Sequence, residues 1–232
     1  MALTPPPYIV LAKSLKAPIT YDWDDQQADD YFLKPDERLR TEIRVISKRG
    51  TLSLSLGFAE WVAWRSDNEA VQSTVLPALE AIWAGSIDWK YLSTRNSPSW
   101  EGWSGAVLEP LAIVFRTLAD IIRLTKREQF ASPESVCLSR LCEHVVPNLT
   151  AFKSWRRSVI KRLEETHPKT QGGPLGNPVP REALNPAFDY RPEQDKELIR
   201  QFLCGLNFKK NPYLASPVEM KKSGFKGTPY SY

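Results

Sequence analysis

One long apolar stripe at helical spacing constrains the fold of this chain more than any other sequence feature. Between Ser104 and Gln129 the apolar positions repeat every three or four residues. They are Leu108, Leu111, Phe115, Leu118 and Ile122. Charged residues occupy the opposite side, namely Glu109, Arg116, Asp120, Arg123 and Arg127. This pattern predicts an amphipathic helix with one face in a core and one in solvent.

Similar patterns predict six further helices: five over residues 35–49, 52–65, 68–84, 132–146 and 192–206, and one that begins soon after Pro147 and carries the apolar stripe Phe152, Trp155, Val159 and Leu163. Gly50 and Gly85 are interpreted as the residues that end the first and third of these. Pro77 lies inside the third and should kink or restart it. Only "TLSLSL" (51–56) alternates with the period of a strand, and it is ambiguous because it directly precedes a helical stretch.

The predicted fold is mainly α, a single multi-helix bundle of about seven helices. An N-terminal arm with an acidic segment covers residues 1–33, and the helical core covers residues 34–166. Residues 167–191 hold five prolines and three glycines and predict a long loop. Residues 192–232 should form the last helix and an irregular tail packed on the core.

Composition excludes several classes of protein. With 42% hydrophobic residues, 25% charged residues and a net charge of +4, the chain is typical of a globular protein and not of a dedicated nucleic-acid binder. No apolar run approaches the roughly 20 residues of a membrane span, and no signal peptide is recognisable. Three cysteines without framework spacing favour a reducing, cytoplasmic compartment.

Combinations of residues that could support catalysis or metal binding fail on spacing. Cys137, Cys142 and His144 lie on one predicted helix. Side chains five apart diverge by about 140° and side chains two apart by about 200°, so these three cannot converge on one zinc ion. The histidines lie in no nucleophile motif, and "TQGGPLGNP" lacks the strand, helix and Lys-Ser/Thr end of a phosphate loop. We therefore expect no catalytic, cofactor-binding or metal-binding residues, and a protein that is not an enzyme.

A basic helix, "FKSWRRSVIKRL" (152–163), could in principle contact nucleic acid through its five basic residues and Trp155. However, Trp155 belongs to an apolar stripe with Phe152, Val159 and Leu163. The aromatic ring should therefore point into the core, and the basic residues are interpreted as a solvated face. Nucleic acid is not an expected partner.

The stretch "GFAEWVAWR" (57–65) raises a similar question, whether it forms a site or a core. Trp61, Trp64 and Phe58 are three apart and share a helical face, whereas Glu60 and Arg65 diverge by about 140° and should not pair. The stretch is predicted to be a core segment.

Three stretches together resemble the mostly helical bacterial immunity proteins encoded beside polymorphic toxins, including type VI secretion effectors. They are "GFAEWVAWR", "ALEAIWAGSIDWKYL" (78–92) and "NPYLASPVEMKKSGFKGTPY" (211–230). The resemblance implies a cytoplasmic protein, with a monomer favoured, that binds one cognate toxin domain and blocks its active site or substrate access. Two alternatives stay open: a helical scaffold or adaptor of a bacterial secretion or phage system, and an enzyme with an unrecognised acid/base site.

An acidic segment is the first candidate for the toxin-binding surface, because residues 22–30 carry five carboxylates and no base. Such a run with neighbouring aromatic residues suits a basic toxin face. The candidate residues are Asp22, Trp23, Asp24, Asp25, Asp29, Asp30 and Tyr31. The alternative interpretation is ordinary solvated surface. The Pro/Gly-rich loop and the aromatic tail, with Tyr213, Phe225, Tyr230 and Tyr232, are further candidates for an interface or for a structural strap.

Overall fold

A computed structural model of the chain describes residues 3–231, which form ten α-helices and no β-strand. The helices are α1 (Pro7–Leu11), α2 (Ala28–Phe32), α3 (Glu37–Arg44), α4 (Lys48–Arg65), α5 (Leu76–Ile87), α6 (Gly105–Lys126), α7 (Ser132–Val145), α8 (Leu149–Thr166), α9 (Asp195–Gly205) and α10 (Pro217–Lys222). The mainly α fold is confirmed. The three helices beyond the expected seven have five or six residues each and lie in the predicted arm and tail.

Helix α4 lies at the centre of the fold and is buried over its full circumference from Gly50 to Arg65. It contacts α5, α6, α7 and α8. A helix covered on all sides needs no polar face, so its sequence carries little helical periodicity. The stretch "TLSLSL" is part of this helix: its six residues are helical and buried, so its alternation does not mark a strand. The predicted core role of "GFAEWVAWR" is confirmed by the burial of all nine residues.

The two glycines interpreted as helix ends lie inside helices, so that interpretation is wrong. Gly50 is in the first turn of α4, where its N–H donates to the Ser47 Oγ cap at 3.1 Å. A Cβ at Gly50 would lie 2.4 Å from Cγ2 of Ile46, and one at Gly85 would lie 2.7 Å from Cγ of Leu92. Both glycines serve close packing rather than helix termination.

The restart expected at Pro77 takes the form of a π-helical turn. Residues Val71–Val75 are π-helical and continue directly into α5, with Pro77 at its second position. A proline has no N–H to complete the ordinary hydrogen-bond ladder, and a π-turn is one way to absorb that loss.

The N-terminal arm packs against the core. Tyr8 stacks on Trp155 with ring centroids 5.1 Å apart, and Ile9 is fully buried. The Lys16 N–H donates to the Trp64 carbonyl at 3.0 Å. Residues 3–16 therefore form a strap over α4 and α8.

The Pro/Gly-rich loop is also held closely. Arg162 of α8 donates to four backbone carbonyls of the loop, at distances of 2.7 to 3.3 Å. They belong to Ala183, Asn185, Pro186 and Phe188. Trp155 Nε1 donates to a fifth, that of Leu184, at 2.8 Å. These contacts identify the loop as a structural strap.

The C-terminal residues form a second, smaller core with the end of α5. Leu203, Leu214 and Met220 are buried there together with Tyr91. The tail therefore packs against the end of α5 in this second core. Of its aromatic candidates, Tyr232 lies outside the described residues. None of the helices within residues 3–231 has the length and apolar character needed to cross a membrane.

Candidate functional site

The acidic segment, residues 22–30, crosses the N-terminal end of α6. Its Asp25 carboxylate accepts from the Gly105 N–H at 2.9 Å, and Gly105 is the first residue of α6. The same carboxylate accepts from Trp23 Nε1 at 2.7 Å. Asp24 caps the 3₁₀ turn Asp25–Gln27 by accepting from the Gln26 N–H at 2.9 Å. Asp24 and Asp25 therefore hold the segment in place, and Asp25 satisfies an N–H that the start of α6 leaves open.

An aromatic clasp fixes the other side of the segment to the end of α7. The His144 ring stacks on Tyr31 with centroids 4.0 Å apart and planes at 9°, and it also contacts Tyr21 and Trp23. His144 Nε2 donates to the Asp22 carbonyl at 2.8 Å. Trp23 and Tyr31, predicted to face a partner, are partly buried in this clasp. Their side chains orient the segment.

Three carboxylates of the segment remain unpaired. Asp22, Asp29 and Asp30 are exposed, and within residues 3–231 their side chains make no hydrogen bond or ion pair. The seven residues predicted from the sequence thus lie together but divide into two groups. Four support the segment, and three present free negative charge to solvent.

A groove of about 380 Å³ between the segment and α6 extends the negative surface. Its charged lining consists of Asp25, Asp29, Glu109, Asp120 and Arg116, and Phe32 and Ile113 contribute apolar surface. Arg116 is paired with Glu109, and Asp120 is paired with Arg123 of the same helix. We call the unpaired Asp22, Asp29 and Asp30 and this groove the acidic face.

Sequence reasoning assigned Glu109 and Asp120 only to the solvated face of α6. These residues are 11 apart, which is close to three helical turns, so they share one side of the helix. Their position beside the acidic segment depends on where that segment crosses α6, and no local pattern specifies this.

A buried polar cluster surrounds Glu60, the acidic residue of the stretch "GFAEWVAWR". The Glu60 carboxylate accepts from Arg181 Nε at 2.7 Å, from Trp83 Nε1 at 2.9 Å and from the Tyr8 hydroxyl at 3.3 Å. Burial raises the pKa of Tyr8, and Glu60 raises it further. Burial alone would lower the pKa of Arg181, but Glu60 outweighs this and raises it.

The cavity beside this cluster is small. It is lined by Trp83 and Arg181 among others and measures about 10 Å³, which is room for roughly one water molecule. The four polar groups satisfy one another in a closed arrangement. Glu60 and Arg65 do not pair, as expected, since Arg65 donates to the Tyr21 hydroxyl at 2.9 Å instead.

The three residues considered for zinc binding, Cys137, Cys142 and His144, have different surroundings in the fold. The Cys142 thiol is fully buried and donates to the Phe58 carbonyl at 3.3 Å, whereas His144 belongs to the aromatic clasp. Burial raises the pKa of Cys142, which disfavours the thiolate that binds metals. Nowhere in the described part of the chain do three or more His, Cys, Asp or Glu residues form a group that could hold a metal ion.

The basic helix is α8, and its Trp155 is 4% exposed. Because this ring is buried and packs against Tyr8 and Trp61, it has no free face for a nucleobase. Arg156 pairs with Glu143 at 2.6 Å, and Arg162 holds the loop. The tail rings Phe225 and Tyr230 contact Tyr91 of the second core.

Comparison with known proteins yields no relative: no protein family model, no curated protein and no solved structure matches this chain.

Proposed function

We propose that this protein is an immunity protein that binds a cognate bacterial toxin domain in the cytoplasm through its acidic face and blocks the toxin's active site or substrate access. The observation that carries the proposal is the set of three unpaired carboxylates, Asp22, Asp29 and Asp30, beside a groove that is itself negative. A surface of this kind attracts a positively charged partner and speeds its association.

The partner face best suited to this surface is one that normally holds a nucleic acid or a nucleotide. Such a face carries Lys and Arg side chains that bind phosphate. Carboxylates held against those side chains would compete with the phosphates of the substrate. Inhibition then needs no chemistry from the immunity protein.

The rigid mounting of the acidic segment also supports this function. The Asp25 bond to Gly105 and the stacking of Tyr31 on His144 hold the backbone of the segment before any partner arrives. A preorganised surface loses less conformational entropy on binding, which favours tight association.

The test is co-expression with the product of the neighbouring gene, followed by binding measurements on the purified pair. The intact protein should rescue cells from the toxin. The triple variant D22N/D29N/D30N should bind about tenfold more weakly, because rim charges contribute roughly 0.2 to 1 kcal/mol each, and the loss should shrink as salt is added.

A matched control changes the net charge equally at other sites. Glu69, Glu164 and Glu193 are exposed, and their side chains make no hydrogen bond or ion pair within residues 3–231. The variant E69Q/E164Q/E193Q should bind like the wild type. Failure of the intact protein to rescue cells, or an equal loss of binding in both triple variants, would contradict the proposal.

A further inference from the structure

A second concave site lies away from the acidic face, where α3, α7 and α8 meet. It is a cleft of about 400 Å³. Five basic and three acidic side chains line it, so its walls carry an excess of two positive charges. The basic residues are Arg38 of α3, Arg140 of α7, and Lys153, Arg156 and Arg157 of α8. The cleft is therefore a candidate site for an anion.

The spacing of the basic residues in α8 brings three of them to one side of the helix. Lys153, Arg156 and Arg157 are three and four residues apart, and side chains at these distances are neighbours on a helix surface. Arg140 and Glu143 are three apart in α7 and are neighbours for the same reason. Part of the basic helix thus faces a cleft rather than open solvent.

Glu143 lies deep in this cleft and binds three cations at once. Its side chain is 14% exposed. Its carboxylate pairs with Arg156 at 2.6 Å, with Arg140 at 3.1 Å and with Lys153 at 3.6 Å. One carboxylate carries a single negative charge, so it cannot compensate all three cations.

Two of the guanidinium groups are held in fixed positions. Arg140 lies between Glu143 and Asp36, which it approaches to 3.3 Å. Arg156 Nη1 donates to Glu143 and to the Ser139 hydroxyl, both at 2.6 Å. Within residues 3–231, the Nε and Nη2 groups of Arg156 make no other hydrogen bond, so they can donate to a ligand. Guanidinium groups that are already oriented lose little conformational entropy when they bind an anion.

The positive charge that stays uncompensated lies at the mouth of the cleft. Arg38 pairs with Glu42 at 3.0 Å, and this pair adds no net charge. Lys153 reaches Glu143 only at 3.6 Å and its side chain is 43% exposed, and Arg157 is exposed. Both side chains are therefore free to turn towards a ligand.

We propose that this cleft binds the dianionic phosphate group of a phosphate monoester. The two negative charges of that group equal the excess positive charge of the lining. Four of the five basic residues are arginines, whose planar N–H donors match pairs of phosphate oxygens. Among the described residues no aromatic side chain lines the cleft, so a phosphate ester without a nucleobase suits it best.

This inference does not rest on the proposed toxin binding, since the cleft and the acidic face share no residue. The acidic face repels anions and should not bind the same ligand. The phosphate titration and the rescue of cells from a toxin can therefore fail independently.

The probe is methyl phosphate, titrated into the isotopically labelled full chain at about pH 8 and constant ionic strength, while the Arg Nε–H signals are followed by NMR. The compound is a dianion under these conditions, because the second pKa of a phosphate monoester is about 6. We expect saturable shifts of the Arg140 and Arg156 signals and no shift of Arg181, which lies in the Glu60 cluster. Dimethyl phosphate has nearly the same size but a single charge, and it should bind on the order of tenfold more weakly.

The variant K153Q/R157Q removes the two charges at the mouth and keeps the fixed guanidinium groups. It should bind methyl phosphate on the order of tenfold more weakly than the wild type and show a smaller preference over dimethyl phosphate. The matched control is K221Q/K222Q in α10. It removes two exposed lysines that make no ion pair in the described part of the chain, and it should bind like the wild type.

A second phosphate monoester, N-acetyl-O-phosphoserine amide, identifies the source of the phosphate group. Tighter binding of this compound than of methyl phosphate would support the cleft as a site for a phosphorylated peptide. Equal binding of the two compounds would support it as a site for a small monoester.

Equal binding of methyl phosphate and dimethyl phosphate by the wild type would overturn the proposal, and so would the absence of saturable shifts. An equal loss of affinity in K153Q/R157Q and K221Q/K222Q, or no loss in either, would overturn it as well. Folding of each variant is checked by the dispersion of the backbone amide signals, which loss of the site alone leaves unchanged.

Discussion

Arg181 donates its Nε–H to Oε1 of Glu60 at 2.7 Å, across 121 residues of sequence, and so joins the Pro/Gly-rich loop to the central helix α4. The Glu60 side chain is fully buried, and that of Arg181 is 19% exposed. Two residues of the N-terminal strap bind the same pair. The Tyr8 hydroxyl donates to the Glu60 carboxylate, and Arg181 also donates to the Thr4 carbonyl at 2.6 Å. One buried ion pair thus fastens the N-terminal strap and the loop to the core.

Loss of the Arg181 guanidinium should destabilise the fold strongly. R181M leaves the Glu60 charge buried without its cation, and we expect the free energy of unfolding to fall by about 3 kcal/mol. The measurement is urea denaturation. The double variant E60Q/R181M removes both charges and should recover much of the loss; a double variant no more stable than R181M would contradict this account.

Arg162 should control the order of residues 183–188. R162M removes the donor for four loop carbonyls, and we expect a loss of about 2 kcal/mol together with faster chymotrypsin cleavage after Phe188. The neighbouring Lys161 is a matched control, because its ion pair with Glu165 spans 3.9 Å and its side chain is 77% exposed. K161M should change neither stability nor cleavage rate, and equal effects in both variants would be inconsistent with the role of Arg162.

Within the acidic segment, loss of a carboxylate that holds the fold should reduce stability more than loss of an exposed, unpaired carboxylate. D25A removes the acceptor for the first N–H of α6 and should cost about 1 kcal/mol. D29A removes an unpaired exposed carboxylate and should change stability by less than about 0.5 kcal/mol. Thermal denaturation of both variants, at one pH and salt concentration, provides the comparison. A D29A variant as unstable as D25A would contradict the assignment of a structural role to Asp25 and of none to Asp29.

The Glu80 carboxyl should make stability depend on pH. Its pKa is raised in the folded state, chiefly by burial, so the folded protein holds this proton more tightly than the unfolded chain does. The resulting stabilisation is fully present below the unfolded pKa of roughly 4.3 and is lost as the pH rises through the folded pKa. E80Q should therefore have a higher melting temperature than the wild type at pH 7, and the difference should shrink towards pH 4. A difference in melting temperature that grows as the pH falls would contradict a raised pKa of Glu80 in the folded state.

The cysteines should differ in reactivity. Cys204 is exposed, whereas Cys142 is fully buried and burial raises its pKa. In the native protein a thiol reagent should label Cys204 rapidly and Cys142 only when the protein unfolds. C204S should eliminate the fast phase, which a colorimetric thiol assay detects. Because Cys137 is only half-buried, the comparison is made in a C137S background, where persistence of the fast phase in C204S would show that the core around Cys142 opens.

Several helices could be predicted because their patterns are local. In α6 and α8 one apolar stripe faces the core and the opposite face meets water, so the three- and four-residue spacing is visible in the sequence. Helix α4 is buried on all sides and shows no such contrast, so "TLSLSL" was ambiguous. The glycine errors have a similar cause, since the contacts of Gly50 with Ile46 and of Gly85 with Leu92 depend on how neighbouring segments pack.

The sequence by itself determined that the chain is helical, that Trp61 and Trp155 belong to the core, and that residues 22–30 carry a dense negative charge. Only the tertiary structure decided which of those carboxylates are free. Asp25 is used to cap α6, while Asp29 joins Glu109 and Asp120 from a helix about 80 residues further along the chain. It also decided that Glu80 is buried, with Asn211 beside it as a hydrogen-bond donor. Helical periodicity follows from neighbours a few residues apart, whereas the pairing and exposure of a charge depend on contacts between distant segments, which no local pattern encodes.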